Sequence, residues 1–337
     1  MRIKLLIASA DKDYTGHLSN RILEYHADSI EVSVCTSPEC LPELLSTRTF
    51  DAALLERPFI ECTDISAVRL PLLLWTEDEI DDGARVGPQK IRKYQKVSAM
   101  VAEVLEKYAK VSADKRGFEL DKAQITAMWS PTGGVGKTSV ALAYAAKKAS
   151  EGKKTLYLNL EAFSSVPVYF AENGKSISAI FEMLDNSEGN VGMLIQGLRK
   201  FDGETGVAYF RGPENFDDIN ILSTENVKAL VEACAGATEE LVVDMSCLCD
   251  ERARHIFERA DRVLIVTDAS ITAQTKLLQF TAQHHIFERI KDKAVLVANK
   301  GATLASPPTG VVITLPLVRS VDASVVYKTL SGCSFEV

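Results

Sequence analysis

The run SPTGGVGKTS at residues 130–139 constrains the fold of this chain more than any other feature. It follows an apolar stretch at 125–129 and precedes an alanine-rich stretch at 140–149. A strand, a glycine-rich loop and a helix in this order are the context of a phosphate-binding loop. Glycines let the backbone approach anionic oxygens, and amides at a helix N-terminus bind them. The sequence predicts that phosphates are bound by Gly133, Gly134, Val135, Gly136, Lys137, Thr138 and Ser139.

Within this loop, Lys137 is expected to reach the β- and γ-phosphates, and the hydroxyl of Thr138 to hold Mg²⁺. One position departs from the general pattern G-x-x-x-x-G-K-[ST], which has a glycine where this chain has Pro131. Proline fixes φ and removes an amide, so the loop entry is unusual although the cradle remains. The alternative interpretation is a glycine-rich turn that happens to precede a lysine. The three glycines, the GKT ending and the flanking elements together favour a nucleotide site.

Composition sets the broad class of the protein. The chain has 337 residues, of which 46% are hydrophobic and 25% charged, and its net charge is −8. The length favours two domains, and the acidic balance does not favour nucleic acid as a general partner. The sequence has no apolar run long enough for a transmembrane segment and begins without a signal-peptide pattern, and its seven cysteines form no C-x-x-C pair. We therefore expect a cytoplasmic protein with reduced thiols.

Apolar segments alternate with helical patterns along the whole chain, which predicts parallel sheets covered by helices on both faces. The expected fold is two doubly wound, three-layer α/β domains: a flavodoxin-like domain at 1–112, a linker at 113–123 and a P-loop nucleotide-binding domain at 124–337. Ser37 is a candidate N-cap for a helix at 38–46. Strands are predicted at 3–9, 30–35, 50–56, 70–75, 90–94, 125–129, 155–160, 219–223, 241–244, 263–267, 294–298 and 311–315.

The first half resembles the receiver domain of response regulators. In that family, acidic residues after the first strand hold Mg²⁺, and an aspartate after the third strand accepts a phosphoryl group. Asp11 and Asp13 lie near the first position, Thr76 at the family's hydroxyl position, and Lys93 matches its lysine. The acceptor position holds Glu56, which leaves three interpretations: an inert carboxylate, a salt-bridge partner or a fixed mimic of the phosphorylated state. Working phosphotransfer is not expected.

Three strands of the second half end in polar residues that suit the chemistry of the loop. Glu161 follows the strand at 155–160, Asp244 ends the strand LVVD, and Asn299 follows the strand at 294–298. Open α/β sheets bind ligands at the carboxyl ends of their strands, where an aspartate can hold a water bound to Mg²⁺. The amide of Asn299 can both donate to and accept from a purine edge. Asn299 is otherwise a turn residue after a strand.

The order SPTGGVGKTS, LYLNLEAFSS, LVVDMS, LIVTDASITAQ and LVANK resembles the MinD/ParA branch of P-loop ATPases. With a receiver-like domain in front, the chain resembles the TadZ/CpaE pilus-assembly proteins. The resemblance implies ATP and Mg²⁺ as cofactors and a nucleotide-dependent homodimer. The partners that it implies are the pilus or secretion machinery or polar-localisation proteins. It assigns phosphate and metal binding to Lys137, Thr138 and Ser139, and the Walker B role to Asp244. Glu161 and Asn159 fall where the family commonly has aspartates.

The family has a second lysine immediately before Gly-Gly, which reaches the partner's nucleotide, and this chain has Thr132 there. A cation in that role stabilises the transferring phosphoryl group, and threonine does not replace it. We therefore expect ATP binding with slow hydrolysis, in which Lys137, Glu161 and Asp244 carry the chemistry. Two alternatives remain: a scaffold that binds ATP without hydrolysing it, and a DNA-partitioning ATPase, which the acidic balance disfavours.

Overall fold

The computed structural model describes residues 2–27, 29–76, 88–111, 123–170, 176–186, 189–304 and 307–335. The chain divides into two compact units. The first comprises Met1–Glu119 and Glu188–Gly197, and the second comprises Leu120–Ser187 and Leu198–Val337. Residues 113–122 of the predicted linker lie outside the described residues.

The first unit is an α/β unit whose described strands form one parallel five-stranded sheet in the order β2-β1-β3-β4-β5. Ile3 pairs with Ile30 on one side of β1, and Leu5 pairs with Ala52 on the other. This strand order is that of the flavodoxin-like, doubly wound sheet. Its strands are β1 (Ile3–Ala8), β2 (Ile30–Cys35), β3 (Ala52–Leu55), β4 (Leu70–Trp75) and β5 (Gln89–Arg92), and its helices include α1 (Lys12–His26), α2 (Leu41–Thr47), α3 (Arg57–Glu61) and α4 (Val97–Val111).

Local signals account for the helix starts of the first unit, with one correction. Asp11 caps α1, because its side chain accepts a hydrogen bond from the amide of Tyr14 at 2.9 Å. Ser37 occupies the predicted N-cap position, but its hydroxyl donates to Glu39 and makes no capping bond. A short 3₁₀ turn at Pro38–Cys40 precedes α2 instead. Proline at the first turn suits this start, because the missing amide has no partner there.

A helix from later in the chain completes the first unit. Helix α8 (Val191–Leu198) follows Asn190, whose backbone amide donates to the carbonyl of Ala109 at 2.9 Å. Gly197 lies so close to α4 that a Cβ on it would be 3.0 Å from the carbonyl oxygen of Ala102. The segment Glu188–Gly197 therefore belongs to the first unit, although the sequence pattern places it inside the second domain.

The second unit is built on one sheet, whose described strands are ordered β13-β12-β11-β6-β10-β7-β9-β8. All neighbours are parallel except β8 and β9. The strands are β6 (Gln124–Trp129), β7 (Thr155–Asn159), β8 (Lys200–Phe201), β9 (Ala208–Tyr209), β10 (Glu240–Asp244), β11 (Arg262–Thr267), β12 (Ala294–Ala298) and β13 (Val312–Thr314).

The helices of the second unit cover both faces of this sheet. Val242 joins α5 in one apolar cluster, and the neighbouring residues Leu241 and Val243 are buried on the opposite face. The helices are α5 (Lys137–Ser150), α6 (Val166–Tyr169), α7 (Ser178–Asn186), α9 (Asp217–Asn220), α10 (Thr224–Ala235), α11 (Glu251–Arg259), α12 (Ile271–Thr281), α13 (His284–Phe287) and α14 (Ala323–Ser331). No helix in the described part of the chain is long and apolar enough to cross a membrane.

The predicted strand at 219–223 is wrong. Asp217 and Asp218 begin the short helix α9, where acidic side chains suit the positive end of the helix dipole. Ser223 caps the next helix, α10, by accepting from the amide of Asn226 at 3.0 Å. An apolar run of three or four residues does not distinguish a strand from a turn of helix, and the capping residues decide this case.

Candidate functional site

The predicted loop lies between β6 and α5, at the carboxyl edge of the second sheet. Gly136 is the N-cap of α5 with φ 85°, and Gly134 has φ 79°. Both are left-handed conformations that favour glycine. Because α5 begins at Lys137, the amides of its first turn have no partner within the helix and are available to an anion.

Two residues after β12 hold this loop. Asn299 is buried, and its Nδ2 donates to the carbonyl of Val135 at 2.9 Å. A Cβ on Gly136 would lie 2.6 Å from the same nitrogen, so glycine is required there by space as well as by φ. Lys300, itself at φ 58°, donates from Nζ to the carbonyl of Gly134 at 2.7 Å. The purine contact of Asn299 stays a prediction, whereas its contact with the loop was not foreseen.

Lys137 connects the loop to two carboxylates. Its Nζ lies 3.0 Å from Oε1 of Glu161 and also contacts Oδ1 of Asp244. Asp244, at the end of β10, is fully buried. Burial alone would lower the pKa of Lys137, but the charges of Asp244 and Glu161 outweigh it and raise that pKa. Burial also raises the pKa of Glu161, although Lys137 opposes the shift.

The second oxygen of Asp244 has different partners. The hydroxyl of Tyr157 donates to Oδ2 of Asp244 at 2.7 Å. Nδ2 of Asn159 lies 3.3 Å from the same oxygen and 3.0 Å from the hydroxyl of Tyr157. Burial, followed by the charge of Asp244, raises the pKa of Tyr157 well above its usual value, so the hydroxyl remains a donor. The motif pattern did not identify Tyr157, because only the strand pairing brings it to Asp244.

The predicted loop hydroxyls lie on the same edge. Thr138 and Ser139 occupy the first turn of α5, and Oγ of Ser139 is 2.9 Å from the hydroxyl of Tyr169. The hydroxyl of Thr132 is buried and has no hydrogen-bond partner among the described residues. A buried hydroxyl without a partner is costly, and a ligand or water at the loop would satisfy it.

These residues have the groups needed to bind a nucleoside triphosphate with Mg²⁺. The loop offers glycines, free helix amides, the cation of Lys137 and the unsatisfied hydroxyl of Thr132. Among the described residues no group of three or more His, Cys, Asp or Glu side chains could hold a metal by itself. Mg²⁺ does not require such a group beside a nucleotide, since it keeps several waters and binds phosphate oxygens with one or two protein ligands. Thr138 and Asp244 are the residues that would serve.

The first unit has its own charged site at the carboxyl ends of its strands. Glu56 follows β3, and its Oε1 lies 2.7 Å from Nζ of Lys93. Its Oε2 accepts from the amide of Ala10 at 3.1 Å. Oδ2 of Asp11 is 3.7 Å from the same Nζ. Of the three interpretations left open for Glu56, the structure supports a salt-bridge partner. Asp13 lies in the first turn of α1, and Thr76 directly follows β4.

Comparison with solved structures finds proteins that resemble part of this chain. A ParA family ATPase from Chlorobium tepidum is 17% identical with a TM-score of 0.52 and covers 63% of this chain and 91% of that chain. A plasmid partition protein from Borrelia burgdorferi (14% identical, TM-score 0.48) covers 63% of this chain and 97% of that chain. The septum site-determining protein MinD from Pyrococcus horikoshii, complexed with Mg-ADP, is 12% identical with a TM-score of 0.47. The match covers 62% of this chain and 94% of that chain. No family model and no curated protein matches the chain.

The parallel sheet, the glycine-rich loop after β6 and the helix that follows it define a P-loop α/β domain. Within this class, the fold resembles that of the ParA family structure, because the similarity extends over 91% of that chain. The second unit thus has a fold similar to that of the ParA family structure.

Proposed function

We propose that this chain is an ATP-binding protein of the TadZ/CpaE type, which dimerises with ATP, hydrolyses it slowly and helps to place a Tad-type pilus machine at the cell pole. The observation that carries the proposal is the contact of Lys137 with Asp244 and Glu161 beneath the loop. A buried lysine, two carboxylates and free helix amides at one sheet edge suit a triphosphate with Mg²⁺. The ParA family structure of similar fold is that of an ATPase.

ATP binding requires Lys137 to leave its carboxylates for the phosphates. Asp244, with Oδ1 then free, and Thr138 would hold Mg²⁺ or its waters. Bound Mg²⁺ supplies charge stabilisation at the phosphates. Glu161, half buried beside Lys137, would orient the attacking water. We propose catalytic roles for Lys137, Glu161 and Asp244, and their contacts with one another support this assignment.

Slow hydrolysis follows from two positions. Thr132 supplies no charge where the family has a cross-dimer lysine, and groups of that kind are worth about 10³–10⁵ in rate. Glu161 is one methylene longer than the family's aspartate, and a misplacement of about 1 Å can cost about 10². The nucleotide then serves mainly to hold two copies of the chain together.

The first unit supports the assembly role. Its strand order is flavodoxin-like. The resemblance to receiver domains would put Glu56, which is paired with Lys93, in the place of the phosphorylated aspartate. Lys93 is paired with the carboxylate of Glu56. The unit therefore does not depend on a phosphoryl group to keep an anion beside this lysine. We propose that it docks partners of the pilus machinery, in a protein that is cytoplasmic and polar.

Sedimentation velocity with and without ATP-Mg²⁺ tests the dimer, and steady-state phosphate release tests turnover. We expect the wild-type chain to change from monomer to dimer with ATP-Mg²⁺ and Lys137→Ala to remain monomeric. Phosphate release should be slow but above that of Lys137→Ala. A mass independent of nucleotide contradicts the switch. Phosphate release equal to the Lys137→Ala background, with ATP bound, supports the scaffold alternative instead.

A further inference from the structure

The two oxygens of the Asp244 carboxylate have separate sets of partners. Oδ1 contacts only the cation of Lys137 among the hydrogen bonds described for it. Oδ2 accepts from the hydroxyl of Tyr157 at 2.7 Å and lies 3.3 Å from Nδ2 of Asn159. One oxygen therefore faces the loop, and the other is held by the neighbouring strand.

Strand pairing produces this division. Strands β7 and β10 are parallel neighbours in which Asp244 pairs with Asn159, and Val242 pairs with Tyr157. Tyr157 and Asn159 are two residues apart on β7, so their side chains share one face of the sheet. Because the tyrosine side chain is long, the hydroxyl of Tyr157 reaches Asp244 at the end of β10.

Asn159 has one orientation that satisfies its contacts. Its Oδ1 accepts from the backbone amide of Glu161 at 3.1 Å, which directs Nδ2 toward Tyr157 and Asp244. A carboxylate at position 159 would instead bring a second negative charge against the buried oxygen of Asp244. The asparagine thus links the backbone of one proposed catalytic residue to the side chain of another.

We propose that Tyr157 and Asn159 are positioning residues that hold Oδ2 of Asp244, so that Oδ1 alone is presented to Lys137 and, once ATP has bound, to Mg²⁺ or its waters. The inference rests on the proposed nucleotide site and adds two residues that hold its metal-binding carboxylate in one orientation. Neither side chain touches the nucleotide in this proposal. We therefore expect substitutions of these two residues to change the affinity for Mg²⁺ and to leave nucleotide binding without the metal unchanged. A general effect on the loop would change both.

Tyr157→Phe removes only the hydroxyl. We expect the affinity for a fluorescent N-methylanthraniloyl-ATP to be unchanged within about twofold in EDTA, because the loop and Lys137 are intact. The Mg²⁺ concentration that gives half of the metal-dependent change should rise about tenfold, since outer partners of metal ligands typically affect metal affinity by about 10–100-fold. Asn159→Ala should raise the same midpoint.

Tyr144→Phe is the matched control. Tyr144 is an equally buried tyrosine of the same unit, and its hydroxyl bonds to Glu240 at 3.3 Å, away from the loop. Tyr144→Phe should leave unchanged both the affinity for the fluorescent nucleotide in EDTA and the Mg²⁺ concentration at the midpoint. Circular dichroism of each variant reports folding, and Asn159→Ala tests the same prediction if Tyr157→Phe fails to fold.

Several results would overturn the inference. A Mg²⁺ midpoint for Tyr157→Phe and Asn159→Ala equal to that of Tyr144→Phe shows that Oδ2 needs no restraint. Equal losses of nucleotide affinity with and without Mg²⁺ show a role in the fold of the loop rather than at the metal. A wild-type chain that binds no nucleotide rejects the proposed function and this inference together, whereas the first two results reject the inference alone.

Discussion

At position 132 the side chain is short, uncharged and buried, and its hydroxyl has no partner among the described residues. We expect Thr132→Lys to raise ATP hydrolysis in the dimer by at least about tenfold, since a cation at the transferring phosphoryl group can be worth about 10³–10⁵. Phosphate release at saturating ATP-Mg²⁺ measures this change. Thr132→Met provides a side chain of similar length without charge, and equal rates for the two variants would contradict the role assigned to position 132.

Lys137 also stabilises the unliganded protein, because it neutralises a fully buried carboxylate. Removing one partner of a buried ion pair typically costs about 3–5 kcal/mol, so Lys137→Ala should lower the free energy of unfolding by about that amount. Urea denaturation without nucleotide measures it. The control is Lys148→Ala on the same helix, whose surface pair with Glu151, with 3.0 Å between charged atoms, should be worth about 1 kcal/mol or less.

The pH dependence of this effect has a definite sign. The folded-state pKa of Lys137 is raised above its ordinary value of 10.5, so the ion pair contributes its full stability below pH 10.5. That contribution is lost as the pH rises through the folded-state pKa. The difference between wild type and Lys137→Ala should therefore be constant at neutral pH and shrink only at strongly alkaline pH. A difference that already disappears near pH 8 would contradict the assignment.

At the scale of secondary structure, sequence patterns predict long buried strands well and side-chain partners poorly. Strands β6, β7, β10, β11 and β12 are near-continuous apolar runs, and the polar residue after each run marks the edge of a parallel sheet. The contacts of Tyr157 and Lys300 depend instead on which strands pair and in which register. This register cannot be read from a single sequence, so the contacts of these two residues could not be predicted from it.

The pairing of α8 with α4 also depends on tertiary structure, and Gly197 tests it. We expect Gly197→Val to destabilise the first unit by about 1–3 kcal/mol, because the added methyl groups meet the backbone of α4 in a packed contact. Thermal or urea unfolding of the full chain provides the measurement. Gly16→Val is the matched control, since Gly16 is also helical, lies in the same unit and has nothing within 4 Å of its Cβ position. Equal stability of the two variants would show that α8 is not packed as described.

At the scale of the whole molecule, net charge bears on the alternative of a DNA-partitioning ATPase. The net charge of the chain is −8, and several cations on the second unit are paired with carboxylates, as in the 2.8 Å contact between Arg289 and Glu258. We expect duplex DNA to bind no more tightly than about 10⁻⁴ M at 150 mM salt, the weak limit of ordinary non-specific binding. Fluorescence anisotropy with ATP-Mg²⁺ tests this. Tighter binding that weakens steeply with salt would favour the partitioning alternative.

The segment Glu188–Gly197 has a consequence for how the protein is made. A ribosome adds about 5–20 residues per second, and domains generally fold in order from the N-terminus. Here β6, the phosphate loop, α5 and β7 leave the ribosome before the helix that completes the first unit. The N-terminal unit therefore reaches its final packing only after the nucleotide loop has been synthesised. A nascent chain released before residue 197 would expose the face of α4 that α8 covers, and this exposed face would be a target for chaperones.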